Sequence, residues 1–261
     1  MSRLLLRPRC VASSGPTIIQ PNAVSGLISW IEFDDISTLF KSADATTTAV
    51  TTTGDVIRTM RDKAHASNLW WKNRTSDATS PVYTENGGKK FGAFTIAASR
   101  FLSYYAGGVA DTTIDSLTRP AAYTFICAYR KAASGSAARI LGSSANSTVG
   151  CFDGTDNLMY GSAVSNAAKP NASSTFIRTS FGVGAWVNVD DTVANYQFYQ
   201  DNVLLAGANQ TSSATTATVF NAMGRQSSSY SDCDIIGWAL YNAVLSASDR
   251  AGVTAYFQAK C

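Results

Sequence analysis

Only one histidine, His65, stands in this chain of 261 residues. Any Ser-His-Asp or Cys-His relay would have to pass through it, and a single imidazole does not make an imidazole metal cluster. Its neighbours Ala64, Ala66 and Ser67 read as a loop, so a solvated loop histidine is expected. Charge is scarce as well: Asp, Glu, Lys and Arg make up 15% of the residues and the net charge is +3. The basic residues are scattered rather than gathered on a stripe, which removes the electrostatic footprint of a nucleic-acid binder. No apolar run approaches the roughly 18 residues that span a bilayer, so no membrane partner is expected. Cys10, Cys127, Cys151, Cys233 and Cys261 are widely spaced and odd in number. That spacing excludes a close-pair zinc site and argues against a disulfide framework, in keeping with synthesis in a reducing cytoplasm. Cys127 sits inside the strand-like run Tyr123–Tyr129, where a free cysteine acts as a small buried hydrophobe. Leu4-Leu5-Leu6 is too short for an export signal, which needs about 7–15 apolar residues, and Arg7 and Arg9 interrupt it.

What is present is β-like. Hydrophobic residues reach 45%, enough for an ample core in one all-β domain, and the polar remainder is dominated by Ser, Thr, Asn and Gly. Residues 1–25 carry Pro8, Pro16 and Pro21 without periodicity and read as an extended arm outside the domain. Stretched out, about 25 residues reach roughly 80 Å. From Gly26 on, Leu27, Ser29, Ile31 and Phe33 alternate with Ile28, Trp30 and Glu32, both sets largely apolar, as in a strand covered on both sides. Strand-like segments then recur every ten residues or so, with turn residues between them, through Tyr123–Arg130, Arg139–Ser143, Val149–Phe152, Leu158–Tyr160, Ser174–Ser180, Ala185–Val189 and Asn195–Tyr199. Asp201-Asn202 predicts a two-residue hairpin, since both residue types tolerate the left-handed backbone. The glycines of Phe181-Gly-Val-Gly-Ala-Trp186 predict a turn before the Trp186 strand, not a phosphate cradle, because no helix follows. The one convincing helix is the last: Ser246 caps it, Asp249 completes a capping-box variant, and Val253, Tyr256 and Phe257 form the stripe that packs back on the domain.

Several phrases occur in a telling order: Leu27-Ile28, Trp30, Glu32, Asp35 and Ser37-Thr38-Leu39-Phe40 at the front, then Asp62-Lys63, then Pro81-Val82-Tyr83. Arg139–Gly142, Met223-Gly224-Arg225, Asp234–Asn242 and the helix from Leu245 to Tyr256 follow. Together, over residues 26–261, they resemble a concanavalin A-like, laminin-G-like jelly-roll domain of the kind found in tailed-bacteriophage virion proteins and bacterial surface proteins. The resemblance implies an all-β sandwich of two antiparallel sheets whose first and last strands meet, with a short C-terminal helix and an extended N-terminal arm. Some such domains hold calcium with an acidic turn, but Ala97-Ala98-Ser99-Arg100 stands there, so no metal or cofactor is expected.

The leading functional expectation is a non-enzymatic structural protein of a phage virion, most of all a capsid decoration (cement) protein, assembled in the host cytoplasm. The arm would anchor it to the major capsid protein or to tail proteins, with Leu4, Leu5 and Leu6 filling apolar grooves and Arg3, Arg7 and Arg9 meeting carboxylates. A homo-oligomer, a trimer among the options, suits that role. The alternative is a carbohydrate-binding domain of a tail fibre or adhesin that stacks host surface glycans on Trp71, Tyr105 and Tyr199. In the pairs Trp70-Trp71 and Tyr104-Tyr105 neighbouring side chains point to opposite faces, leaving one member in the core and one outside. A third reading, a glucanase-like glycoside hydrolase, needs two carboxylates on one strand face. Glu32 and Asp34 alone alternate so, with Ile36 where a further carboxylate would stand. No catalytic residue is assigned.

Overall fold

The computed structural model describes residues 15–64, 69–131, 138–143, 148–152, 158–159, 180–189, 196–207, 219–226 and 228–261. In chain order the strands are β1 (Leu27–Glu32), β2 (Leu39–Phe40), β3 (Thr59–Arg61), β4 (Trp70–Lys72), β5 (Val82–Asn86), β6 (Lys89–Phe94), β7 (Leu102–Tyr105), β8 (Leu117–Thr118), β9 (Tyr123–Lys131) and β10 (Ala138–Gly142). They continue as β11 (Thr148–Phe152), β12 (Leu158–Met159), β13 (Gly182–Asn188), β14 (Tyr196–Gln200), β15 (Val203–Gly207), β16 (Val219–Phe220), β17 (Ala222–Met223), β18 (Arg225–Gln226), β19 (Ser229–Tyr230) and β20 (Cys233–Tyr241). Helix α1 (Ala247–Gln258) follows.

Among the described residues two large antiparallel sheets form. The first runs β15-β14-β13-β9-β20-β6-β5, with β1 also on β20; the second runs β12-β11-β10-β17-β7-β4-β3-β2. The chain is thus a jelly-roll β-sandwich with one short C-terminal helix. Its first and last strands do meet: Trp30 faces Ala239, Ile31 faces Trp238 and Glu32 faces Gly237. On the same side of β20, residues Cys233–Ile235 pair with β6, so β1 and β6 share one edge.

Alternation explains the layers. On β9, Tyr123, Phe125, Cys127 and Tyr129 point into the core between the sheets, while Ile126 and Ala128 face the other way. On β20 the phase switches: Cys233 and Ile235 face the core, then Trp238 and Leu240 do. The bulge between Ile235 and Gly237 supplies the extra residue. Only glycine fits at its exit, because a Cβ on Gly237 would lie 2.6 Å from the Ile31 carbonyl oxygen.

The outer face of the first sheet is covered by α1. Ser246 Oγ accepts from the Asp249 amide at 3.0 Å, and Val253 and Phe257 pack on Ile126, Val183, Ala185 and Ala239, as the sequence predicts. The Asp201-Asn202 hairpin also forms, with φ of +49° and +65°. The Gly182/Gly184 turn does not: both glycines lie inside β13, paired with Tyr129 and Cys127. At Gly184 the glycine supplies room, since a Cβ there would meet the Trp186 ring at 2.6 Å. Of the arm, Ile19, Pro21 and Val24 touch the domain, where the sequence predicts an arm outside it. The Ile19 amide donates to the Gly252 carbonyl at 3.1 Å, the Tyr241 hydroxyl donates to the Pro21 carbonyl, and Val24 joins the cluster under α1.

Candidate functional site

Trp30, Glu32 and Asp34 lie along one side of the first strand and its extension, and α1 brings Tyr256 and Lys260 against them. Glu32 is 2% exposed and fully engaged: Lys63 Nζ reaches Oε2 at 2.5 Å, while the Tyr256 hydroxyl at 2.6 Å and Lys260 Nζ at 3.4 Å reach Oε1. Lys260 also pairs with Asp34 at 2.6 Å, and Lys63 with Asp35 at 2.9 Å. The Lys63 ammonium stands 4.4 Å from the centre of the Trp30 ring. Burial alone would lower Lys63, but the Glu32 and Asp35 carboxylates hold its pKa above the usual lysine value. Burial, then Glu32, push the Tyr256 hydroxyl up, which keeps it a donor.

Asp62 completes this clasp from the other sheet. Fully buried at the end of β3, it accepts from the Ser29 hydroxyl, from the Trp30 and Ala64 amides at 2.9 Å each, and from Trp71 Nε1 at 3.3 Å. The Lys63 amide answers by donating to the Trp30 carbonyl at 2.7 Å. The phrases that carry the family resemblance, Trp30 to Asp35, Asp62-Lys63 and the terminal helix, therefore converge on one spot and tie the two sheets together. Chemically, the Glu32–Asp34 pair meets lysines and a tyrosine rather than an open cleft: both Glu32 oxygens and Asp34 Oδ2 are engaged.

The three stacking candidates have different fates. Trp71 is fully buried between the sheets, 5.4 Å from the Trp238 ring, and presents no face to a ligand. Tyr105 points outward from the second sheet, yet it is buried in a cluster with Phe40 and Trp70 on which Val109 packs. Trp71, expected outside, is thus the inward member of its pair, and the outward members Trp70 and Tyr105 are covered by a loop; alternation reveals neither which neighbour faces out nor what covers it. Tyr199 is half-buried near the β14–β15 hairpin. The Arg250 guanidinium lies 3.7 Å from its ring centre, and its hydroxyl donates to Gln197 Oε1 at 2.7 Å. Nearby, Gln258 Nε2 donates to Asp201 Oδ1 at 3.3 Å and Arg250 Nε to Asn202 Oδ1 at 3.4 Å. Leu204, opposite Tyr199 in the sheet register, and its neighbour Val203 are 52% and 61% exposed.

The sequence reading missed Lys72. It follows Trp70 by two residues and shares its outward face, and its ammonium donates to the carbonyls of Asp111 at 2.6 Å, Val109 at 3.0 Å and Gly108 at 3.4 Å. A lysine at an outward position between two aromatic strands was the available signal. His65 and the anchor residues Arg3, Leu4, Leu5, Leu6, Arg7 and Arg9 lie outside the described residues, as does most of the expected Ser174–Ser180 strand. Among the described residues no group of three or more His, Cys, Asp or Glu is placed to hold a metal ion, and no helix is long and apolar enough to cross a membrane.

These features define a jelly-roll β-sandwich class. No protein-family model and no curated protein matches the sequence. Solved structures do. Domain 4 of AbnA, a GH43 extracellular arabinanase from Geobacillus stearothermophilus, in complex with arabinotriose, is similar at 10% identity and a TM-score of 0.52, over 87% of this chain and 98% of that one. Trypanosoma rangeli sialidase in complex with the inhibitor DANA gives 12% identity and a TM-score of 0.47 over 95% of this chain. This chain spans only 36% of that sialidase. The CBM40 of a Ruminococcus gnavus sialidase, bound to α2,3 sialyllactose, gives 15% identity and a TM-score of 0.35 over 52% of this chain and 83% of that one. The match to the arabinanase domain establishes the sandwich fold. It also corrects the expectation that the chain is not an enzyme: the matched domain is part of one, so a non-enzymatic role no longer follows. None of these three structures is of a phage or virion protein, and the capsid-decoration expectation draws no support from them.

Proposed function

We propose that this chain is a carbohydrate-binding β-sandwich domain that engages a glycan at the Tyr199 end of the first sheet. The observation that carries the reading is the composition of that patch. A sugar ring presents an apolar C–H face and a rim of hydroxyls, and this patch sets the half-buried Tyr199 ring and exposed Leu204 beside Arg250, Asn202 and Gln258. The aromatic and aliphatic groups supply the apolar contact, and the amides and guanidinium supply donors and acceptors for the rim. The arabinanase domain of similar fold is itself described in complex with an oligosaccharide, which supports the ligand class. The test is titration of the full chain with arabinotriose and a panel of neutral oligosaccharides, repeated for Tyr199→Ala. Saturable binding of at least one glycan that weakens tenfold or more in the variant is expected. A panel without binding, or binding indifferent to the substitution, refutes the assignment.

A further inference from the structure

The outer face of the second sheet holds a group of polar atoms that the fold leaves without use. Alternation on β7 places Ser103 and Tyr105 on this face, with Phe101 continuing the row just before the strand. Across the register Lys72 stands opposite Ser103, and Trp70 opposite Tyr105. Arg225, just past Gly224, lays its guanidinium 4.1 Å from the centre of the Phe101 ring. Its charge, with that of Arg74, acts on the Tyr105 hydroxyl against burial and the Asp111 and Asp44 carboxylates.

Three donors here are buried without an acceptor: Trp70 Nε1, Ser103 Oγ and Arg225 Nε. Trp70 is 5% exposed and Ser103 1%. An unpaired buried polar group forfeits the hydrogen bond it made to water, so three on one face call for an explanation. Arg225 also forms no ion pair among the described residues, whereas Arg74 is matched by Asp44 and Arg58 by Asp77. Donor-rich, carrying the Arg225 guanidinium and walled by the aromatic rings of Phe101, Tyr105 and Trp70, the face is complementary to an acceptor-rich ring that bears a carboxylate.

We propose that this face is a second glycan site, specific for a carboxylate-bearing sugar, and that loop 106–116 is its cover. The proposal rests on the carbohydrate-binding reading only in taking a sugar as the ligand class. The cover is a preformed unit: Asp111 accepts from the Gly107 and Thr113 amides at 3.0 Å each, and Asp115 accepts from the Ala106 amide at 2.7 Å. Few groups hold it down. The Asp115 amide donates to the Tyr104 carbonyl at 3.0 Å near the loop's far end, Val109 packs on the aromatic cluster, the Lys72 ammonium clamps three carbonyls, and Arg74 adds a long contact of 3.4 Å to the Asp111 carbonyl. Gly108, at φ +100° with open space around its Cβ position, makes the turn within the unit that lets Asp111 reach back to the Gly107 amide. Lifting the loop frees Trp70 and Tyr105 for the ring, brings Ser103 and Trp70 Nε1 to its oxygens, and leaves Arg225 for the carboxylate.

Hexuronate and sialate residues share the carboxylate, so the probes are trigalacturonate and α2,3-sialyllactose, with lactose as the neutral control, titrated against the full chain. At least one acidic probe should bind ten times or more tightly than lactose. Arg225→Gln should weaken that binding at least tenfold, and Trp70→Phe, which keeps a ring and removes the N–H, should weaken it severalfold. Lys72→Met, which removes the clamp and keeps the stem, should tighten it severalfold by raising the open fraction. Tyr199→Ala should leave it unchanged, which separates this site from the neutral-glycan patch; if the neutral panel fails while acidic probes still bind through Arg225, only the Tyr199 assignment falls. The proposal is overturned if lactose binds as well as the acidic probes, if Arg225→Gln has no effect, or if neither wild type nor Lys72→Met binds either acidic probe.

Discussion

Replacing Asp62 by alanine should remove a large share of the stability of this domain. The carboxylate joins Ser29 and Trp30 of the first strand to Trp71 of the opposite sheet, and it is fully buried. Truncation strands the Trp30 amide and Trp71 Nε1, neither of which has another acceptor, at about 1–3 kcal/mol each. Ser29 can rotate its hydroxyl, and the Ala64 amide is close enough to the surface to regain water, so they add little. Removing a buried charge gives some of the loss back, leaving a net destabilisation of about 3 kcal/mol. Against a typical total of about 5–15 kcal/mol this is readily measured. The assay is urea unfolding followed by tryptophan fluorescence, comparing midpoints at constant m-value. A loss below about 1 kcal/mol would refute the reasoning, because it would mean that the donors find other partners. The Asp62→Asn variant adds a pH signature. Burial raises the Asp62 pKa above 3.8 against the pull of its donors, so the folded state takes up this proton at a higher pH than the unfolded chain does. Between those two values its protonation favours folding increasingly as pH falls. In Asp62→Asn that component of the stability-against-pH curve should vanish.

Two smaller perturbations test the packing. A Cβ on Gly92 would lie 2.5 Å from the buried Phe33 ring, so Gly92→Ala should destabilise by about 1–3 kcal/mol in the same urea assay, and an unchanged midpoint would show that the ring has room to retreat. Ser246→Ala removes the cap of α1 and should cost about 1 kcal/mol, read as a lowered thermal midpoint and faster amide exchange in Ala247–Arg250; unaltered exchange would contradict the capping role.

The legible parts of the fold were those with local physical causes. Asp201-Asn202 reverses the chain because its own backbone tolerates positive φ, and α1 begins where Ser246 offers an oxygen to its own helix. Gly182 and Gly184 misled because the same residue type serves a turn or a strand: inside β13 Gly184 makes room for the ring of Trp186 two residues on, and only the pairing with β9 shows that the chain runs straight through. The stacking candidates failed where alternation runs out. It separates Trp70 from Trp71 and Tyr104 from Tyr105, but it does not say that residues 106–116 fold back over the outward members and hide them.

By itself the sequence determined that this is an all-β sandwich closed by a capped helix, because strand periodicity, turn chemistry and capping are written in residues a few positions apart. Only the tertiary structure decided that Trp30, Glu32, Asp62, Lys63, Tyr256 and Lys260 form one clasp, that Tyr199 keeps an accessible flank while Trp71 and Tyr105 do not, and that Lys72 holds a loop over unpaired donors. Those facts depend on which distant segments the two sheets bring into contact, and side-chain burial and ion pairing are properties of that contact.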